Sequence, residues 1–125
     1  MNYEKFIQKK EVQIGEKTFC ISKIPAIEAT AIYPSIAKYY SDYGLIGLTM
    51  FDVELTKKIL SYAAAYNNGA WEVLELETTI STSLPDQSTL KKLVMLMVKE
   101  NWGFLVDGSL RELLGLAEVE EESGS

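Results

Sequence analysis

A chain of 125 residues with 47% apolar and 24% charged residues can bury a core of its own, and it is too apolar for an intrinsically disordered protein. It contains no histidine and only one cysteine, Cys20, so an intramolecular disulfide is excluded and the usual general base and zinc ligand are missing. Four of the six net negative charges come from glutamates within the last eight residues, and the rest of the chain has mixed charge without a basic stripe.

Neither a targeting segment nor a membrane span is expected. Residues 1–11 contain several charged side chains and no apolar stretch that could act as a secretion signal. The longest apolar run, residues 93–98, is far shorter than the ~20 residues that cross a bilayer. The sequence therefore predicts a cytoplasmic protein with neither a membrane partner nor, given its charge, a nucleic-acid partner.

Two short segments with alternating polar and apolar residues predict a β-hairpin, at residues 11–14 and 18–22. The apolar side chains of the two strands are expected on one face: Val12, Ile14, Phe19 and Ile21. Cys20 is expected on the opposite face. We interpret it as a small core residue and not as a nucleophile, since no histidine is available to deprotonate it.

Pro25 is tolerated as a first helical residue, because its missing N–H would have no partner there. Apolar residues at helical spacing follow, at Ala29, Ile32, Ile36, Tyr40 and Tyr43. Pro34 removes one backbone hydrogen bond, so the helix is predicted to bend or break near residues 32–33 and to end at Gly44. The apolar, glycine-bearing residues 45–48 are interpreted as a buried or flexible connector.

A second helix is predicted from a cap at Thr49 or Asp52 to about Tyr66, where residues 67–69 stop it. The pattern of residues 72–77 is compatible with a strand and with a helix. The Thr- and Ser-rich residues that follow disfavour a helix, because β-branched side chains are restricted there.

A third helix is predicted to begin near residues 85–88 and to contain the apolar run 93–98. A helix that is apolar on every side is normally surrounded by protein. We therefore expect this helix to be central, or to pack on the core with one side and on a partner with the other. Residues 107–108 predict a turn, and the capping box of Ser109 and Glu112 predicts a last short helix.

These elements predict a mainly α protein with a short N-terminal β-hairpin, an α+β fold with four or five helices around one core. Residues 1–117 form the single predicted domain. Residues 118–125 form an acidic tail that is predicted to be disordered, because it cannot bury enough apolar area to offset chain ordering.

No catalytic or cofactor-binding constellation is predicted. The carboxylates of the body lie beside lysines on predicted solvent faces, and the chain has neither a Gly-x-Gly-x-x-Gly nor a Walker-type phosphate cradle. A calcium loop is a poorer interpretation of residues 107–112 than the capping box, since the alternating ligands are missing. The sequence therefore predicts a protein that is not an enzyme, with no catalytic residue, metal or cofactor.

Tyr, Trp and Met side chains are concentrated on the predicted helices, and these residue types are enriched at protein interfaces. Each of them is more often plain core, but a small domain has limited room to bury so many tyrosines with satisfied hydroxyls. The candidate partner-binding residues are Tyr39, Tyr43, Met95, Met97 and Trp102.

Four segments follow one another in an informative order: TFCI at 18–21, KIPA at 23–26, AIYPSIA at 31–37 and KENWGFL at 99–105. Their pattern and order resemble the tail assembly chaperones of long-tailed bacteriophages, whose late helix commonly closes on an asparagine and an aromatic residue. The resemblance covers roughly residues 19–114 and contains no invariant motif. Residues 75–84 depart from it.

The resemblance implies that the protein binds the tape-measure protein, tail tube subunits or both in the cytoplasm of the infected bacterium, and keeps them soluble until the tail polymerises. It also implies absence from the mature virion, and self-association is a further expectation. Two alternatives stay open. One is a structural head–tail connector or tail-completion protein that remains in the particle, and the other is a different small acidic binding chaperone.

Overall fold

A four-stranded antiparallel sheet in the order β1-β2-β3-β4 forms one layer of the computed structural model, which describes residues 6–114, with residues 7 and 105–114 described by their backbone alone. The strands are β1 (Ile7–Ile14), β2 (Lys17–Lys23), β3 (Ala63–Asn67) and β4 (Ala70–Val73). The helices are α1 (Ala26–Tyr43), α2 (Val53–Leu60), α3 (Glu77–Ser83) and α4 (Gln87–Leu114), and a 3₁₀ segment, Gly44–Thr49, joins α1 to α2.

The sheet separates two unequal clusters of buried side chains. Val12 lies opposite Phe19 in the register of β1 and β2, and Phe19 and Ile21 face the helices in the larger cluster. Cys20 faces the other way, in a small cluster with Phe6, Ala64 and Val73. The predicted division of the hairpin into two faces is therefore confirmed, because side chains alternate along a strand.

The predicted fold class, mainly α with only a short hairpin, is wrong. The segment predicted to continue the second helix to Tyr66 is strand β3, and α2 already ends at Leu60. Ala63, Ala64 and Ala65 are completely buried between β2 and β4. Alanine favours helices by intrinsic propensity, but this position between two strands with both faces covered accepts small side chains, so tertiary packing overrides the propensity.

The turn between β3 and β4 consists of Asn68 and Gly69, which both have positive φ, 52° and 84°. Two such residues form the tight turn whose twist matches that of antiparallel strands. The sequence Asn-Gly therefore marks a hairpin here and not, as predicted, the end of a helix.

The region that follows β4 is helical, although its threonines disfavour a helix. α3 buries Ile80 and Ser83 against the rest of the molecule, and the Nδ2 atom of Asn67 donates a hydrogen bond of 2.8 Å to the Ser83 hydroxyl. The burial of Ile80 at its centre and this hydrogen bond at its last residue stabilise the short helix against the preference of its β-branched side chains.

The helix predicted to bend or break near residues 32–33 is not broken: α1 continues through the exposed Pro34 and ends at Tyr43, before Gly44 as predicted. The last helix differs from prediction. α4 includes the predicted turn at residues 107–108 and the predicted helix start at Ser109, and its irregularity lies at Trp102, whose φ and ψ are −133° and 31°. Of the two predicted caps of α2, Asp52 is the one observed, since its Oδ1 atom accepts a hydrogen bond from the Leu55 N–H. Residues 118–125, the predicted acidic tail, lie outside the described residues.

The outer strand β1 is irregular at its start. Its register with β2 shifts between Ile7 and Lys10, and Gln8 has a positive φ of 51°. The other outer strand, β4, contains only four residues. Within residues 6–114, none of the helices has the length and apolar character that a membrane span requires.

The side-chain amide of Asn101 joins the sheet, α1 and α4. Its Oδ1 atom accepts a hydrogen bond of 2.6 Å from the Ile24 N–H, and its Nδ2 atom donates to the carbonyls of Ser22 and Met97 at 3.0 Å each. Nearby, Lys23 donates from Nζ to the Glu100 carbonyl at 2.6 Å. These bonds fix the position of α4 just before its irregularity at Trp102.

We expect Asn101→Ala to lower the free energy of unfolding by about 1–3 kcal/mol, because the Ile24 N–H and the Ser22 carbonyl lose their side-chain partner. Urea unfolding at neutral pH measures this change. Lys38→Ala is the control, because it removes only an exposed ion pair with Asp42 and should cost at most ~0.5 kcal/mol. Equal stability of the two variants would contradict a central role for the amide.

Asp86, just before α4, gives the stability a defined pH dependence. Its Oδ1 atom accepts a hydrogen bond of 2.7 Å from the Thr89 N–H, and hydrogen bonds from Thr89 hold the pKa of Asp86 below its ordinary value of 3.8. A carboxylate whose pKa falls on folding stabilises the folded state above its unfolded pKa, and this contribution is lost as the pH falls through the folded pKa.

Asp86→Asn retains a side chain that can cap the helix but removes the ionisation. We expect the stability difference between the wild type and this variant to be constant above about pH 5 and to shrink as the pH falls below about 4. Urea unfolding of both proteins across this range measures the difference, and the other carboxylates cancel in the comparison. A difference that does not change with pH would show that the ionised form is not favoured by folding.

Candidate partner-binding surface

The 3₁₀ segment is held tightly between α1 and α4. Gly47 lies so close to α1 that a Cβ atom added to it would be 2.1 Å from the Tyr39 carbonyl oxygen. Leu48 is buried in the main core, and Lys91 of α4 donates from Nζ to the Thr49 carbonyl. The backbone of this short segment is thereby fixed, and the exposed side chains of Leu45, Ile46 and Met50 flank the anchor points.

Exposed large apolar side chains are concentrated at this segment. Among the described residues, nine such side chains are exposed, and five of them occur within residues 43–53. We call these five the 3₁₀ surface, and each is at least 44% exposed: Tyr43, Leu45, Ile46, Met50 and Val53. Single exposed apolar residues are ordinary, but a concentration of this kind marks a candidate binding site.

A groove of about 340 Å³, here called the helix groove, lies on one side of this surface. Val53 and Phe51 line it together with residues of α2, α3 and α4. The ammonium group of Lys57 in α2 is 3.6 Å from a carboxylate oxygen of Glu77 in α3, so these two charges are paired. Ile80 and Leu90 contribute apolar lining.

A larger groove of about 760 Å³, here called the hairpin groove, lies between the β1–β2 turn, the 3₁₀ segment and α4. Its lining includes the apolar side chains of Ile14, Leu45, Met95 and Leu96, and the lysines Lys91, Lys92 and Lys99. Leu48, Thr49 and Lys91 line both grooves and therefore separate them. Leu45 of the 3₁₀ surface lines the hairpin groove and Val53 lines the helix groove, so we treat the two grooves and this surface as one candidate site.

Three of the five predicted binding residues lie at or near this site. Tyr43 belongs to the 3₁₀ surface, and the half-buried Met95 lines the hairpin groove. Tyr39 is also half-buried, and its ring makes an edge contact with Phe51, with 5.1 Å between the centroids. Tyr39 therefore packs behind the exposed residues: its ring contacts Phe51, and its backbone carbonyl lies next to Gly47.

The other two predicted residues, Met97 and Trp102, are core residues. Their side chains are 0% and 2% exposed, and both belong to the main buried cluster. They are therefore poor candidates for a binding surface, because almost none of either side chain is accessible; Trp102 lies next to α1, near Ala29 and Tyr33. The accessible side of α4 is instead the one that carries Met95 and Leu96.

Four residues of the 3₁₀ surface are not among the predicted binding residues: Leu45, Ile46, Met50 and Val53. Of residues 45–48, predicted to be a buried or flexible connector, only Gly47 and Leu48 are buried. The sequence signal for this 3₁₀ segment is a short apolar run that contains a glycine and is too short to show a helical or strand period. It does not reveal which side chains are exposed.

Cys20 is a buried thiol, as predicted for a core residue. Its Sγ atom is 3.8 Å from the Ile21 carbonyl oxygen, and burial raises the pKa of the thiol above its ordinary value. In the part of the chain that the structure describes, no group of three or more cysteine, aspartate or glutamate side chains is arranged to hold a metal ion.

Comparisons with known proteins found no matching family model, no matching curated protein and no matching solved structure. The resemblance to phage tail assembly chaperones therefore stays a prediction from the sequence.

Gly47→Ala tests the position of the 3₁₀ segment. The added methyl group would overlap the Tyr39 carbonyl, so we expect a loss of about 1–3 kcal/mol in the free energy of unfolding. Gly103→Ala is the matched control, because its Cβ atom would meet nothing within 4 Å and alanine is favoured in a helix. Urea unfolding measures both variants, and an unchanged stability of Gly47→Ala would show that the segment is not fixed by this contact.

Proposed function

We propose that the protein is a tail assembly chaperone of a long-tailed bacteriophage, which binds the tape-measure protein, tail tube subunits or both through the 3₁₀ surface and its two grooves. The observation that carries the binding role is the concentration of five exposed apolar side chains at a segment whose backbone is fixed. The assignment to phage tails is supported by the sequence resemblance over residues 19–114.

The size of the surface favours reversible binding. Burying a large apolar side chain completely contributes ~1.5–3 kcal/mol, so covering the exposed half of five such side chains contributes on the order of 4–8 kcal/mol. The loss of translational and rotational freedom on association costs ~4–15 kcal/mol. The grooves must therefore contribute as well, and the complex can dissociate when the tail polymerises.

Preorganisation reduces the cost of binding at this surface. The contact of Gly47 with α1, the burial of Leu48 and the hydrogen bond from Lys91 order the segment before a partner arrives. A binding surface that is already ordered loses little further conformational entropy in the complex. Holding a client in this way uses shape and apolar area, and it uses neither a nucleotide nor a catalytic residue.

The role in the cell follows from the proposal. The chaperone binds its clients in the cytoplasm of the infected bacterium, covers their apolar segments until the tube grows, and is left out of the finished particle. Self-association through the same apolar surface would compete with client binding, because the surface can be covered only once.

Leu45→Glu combined with Val53→Glu tests this function. These changes place charges on both sides of the 3₁₀ segment at exposed positions, so we expect the fold to be retained and client binding to be lost. The measurement is the soluble fraction of the phage's tape-measure and tube proteins, each co-expressed with the wild type or the variant. Ile27→Glu is the matched control, since Ile27 is 86% exposed and lies outside both grooves.

The wild type and Ile27→Glu should keep the client soluble, and the double variant should not. Urea unfolding confirms that all three proteins are folded. A double variant that keeps the client proteins as soluble as the wild type does would contradict the 3₁₀ surface as the binding site. A wild type that solubilises neither client, together with its detection by mass spectrometry in purified virions, would identify a structural tail component instead.

A further inference from the structure

The hairpin groove has a charge pattern that differs from the rest of the chain. The chain has a net charge of −6, but three lysines and no carboxylate line this groove among the described residues. Lys91 is engaged by the Thr49 carbonyl. Over the described residues, no carboxylate lies within ion-pair distance of Lys92 or Lys99. The nearest electrostatic partner of Lys92 is Asp86, which lies beyond that distance and outside the groove, so both ammonium groups are available to a partner.

The spacing of these two lysines along α4 defines a repeat. Residues seven apart in a helix lie on the same face, about 10.5 Å apart along its axis. Met95 and Leu96 lie between Lys92 and Lys99 and contribute to the apolar lining of the groove. Along the groove, α4 therefore presents a positive charge, two apolar side chains and a second positive charge.

We propose that the hairpin groove binds an amphipathic helical segment of the client whose acidic side chains are seven residues apart and flank apolar ones. The inference rests on the proposed function, because the client supplies this segment. Two glutamates at positions i and i+7 of a helix repeat the spacing of Lys92 and Lys99. In an extended strand, residues about 10 Å apart are three positions apart and point to opposite faces, so a strand does not match both lysines.

The composition of the groove favours a peptide over a nucleic acid. Proteins that bind single-stranded nucleic acid stack its bases on aromatic side chains, and the described lining of this groove contains no aromatic residue. The apolar side chains of Ile14, Leu45 and Met95 match the apolar face of an amphipathic helix. The lysines at the rim determine the sign of the charge that is accepted, and they accelerate the encounter with an acidic segment.

Two fluorescein-labelled helical peptides of about 18 residues test the inference. The Glu peptide has two glutamates seven residues apart that flank two leucines, and the Lys peptide has lysines at the same two positions. Fluorescence anisotropy measures their binding to the full chain. We expect the Glu peptide to bind at least about tenfold more tightly at about 50 mM salt, and this preference to shrink at about 500 mM, because salt screens exposed charges.

Lys92→Glu combined with Lys99→Glu should reverse the preference between the two peptides. Lys38→Glu combined with Lys58→Glu is the matched control, because it changes the net charge equally at exposed positions outside the groove. The control should keep the preference of the wild type. Equal binding of both peptides to the wild type, or an unchanged preference after reversal of Lys92 and Lys99, would overturn the inference.

The chain's own acidic tail is the competing occupant. A full chain in which Glu118, Glu120, Glu121 and Glu122 are changed to glutamine tests it. Binding of the Glu peptide only to this variant would assign the groove to the tail and overturn the client segment. The peptide assay contains neither the tape-measure protein nor the tube protein. A negative peptide result therefore does not affect the solubility assay of the proposed function, and a negative solubility result does not affect the peptide assay.

Discussion

The side chain of Asn101 is the contact on which the arrangement of the other elements depends. With one amide it satisfies the carbonyl of Ser22 at the end of β2, the N–H of Ile24 before α1 and the carbonyl of Met97 within α4. The sheet and α1 meet α4 at this point, and α4 in turn contacts the 3₁₀ segment and lines both grooves. The position of the candidate site is therefore fixed by a polar contact about two turns of α4 away from Met95.

Local patterns predicted the parts of the fold that local physics decides. The alternation in residues 11–14 and 18–22 placed Phe19 and Cys20 on opposite faces correctly, because a strand permits only two directions for a side chain. Strand β3 escaped prediction because its three alanines favour a helix in isolation, and only the neighbouring strands require small residues there. Asn68 and Gly69 contained the correct signal for a hairpin, but the same two residues also end helices.

The candidate site was predictable only in part, because the sequence does not show which side of an apolar helix faces the core. A run that is apolar on every side shows that a helix is covered, but it does not show whether the fold or a partner covers each side. Met97 and Met95, two residues apart in α4, are thus equally good candidates in the sequence, and the structure places one in the core and the other in a groove. Leu45 and Ile46 are exposed because the close contact at Gly47 fixes the direction of the backbone, and no periodicity in the sequence records such a contact.

The irregular start of β1 has a consequence for the selectivity of the molecule. An outer strand with a register shift and a residue of positive φ is a poor template for a further strand, and the four residues of β4 offer little length for pairing. This protein exposes apolar side chains, while its two outer strands are poorly suited to pairing with a further strand. Other chains are therefore bound through side-chain contacts and not through backbone hydrogen bonds. The protein can therefore reach a high concentration without seeding amyloid-like stacking of extended segments.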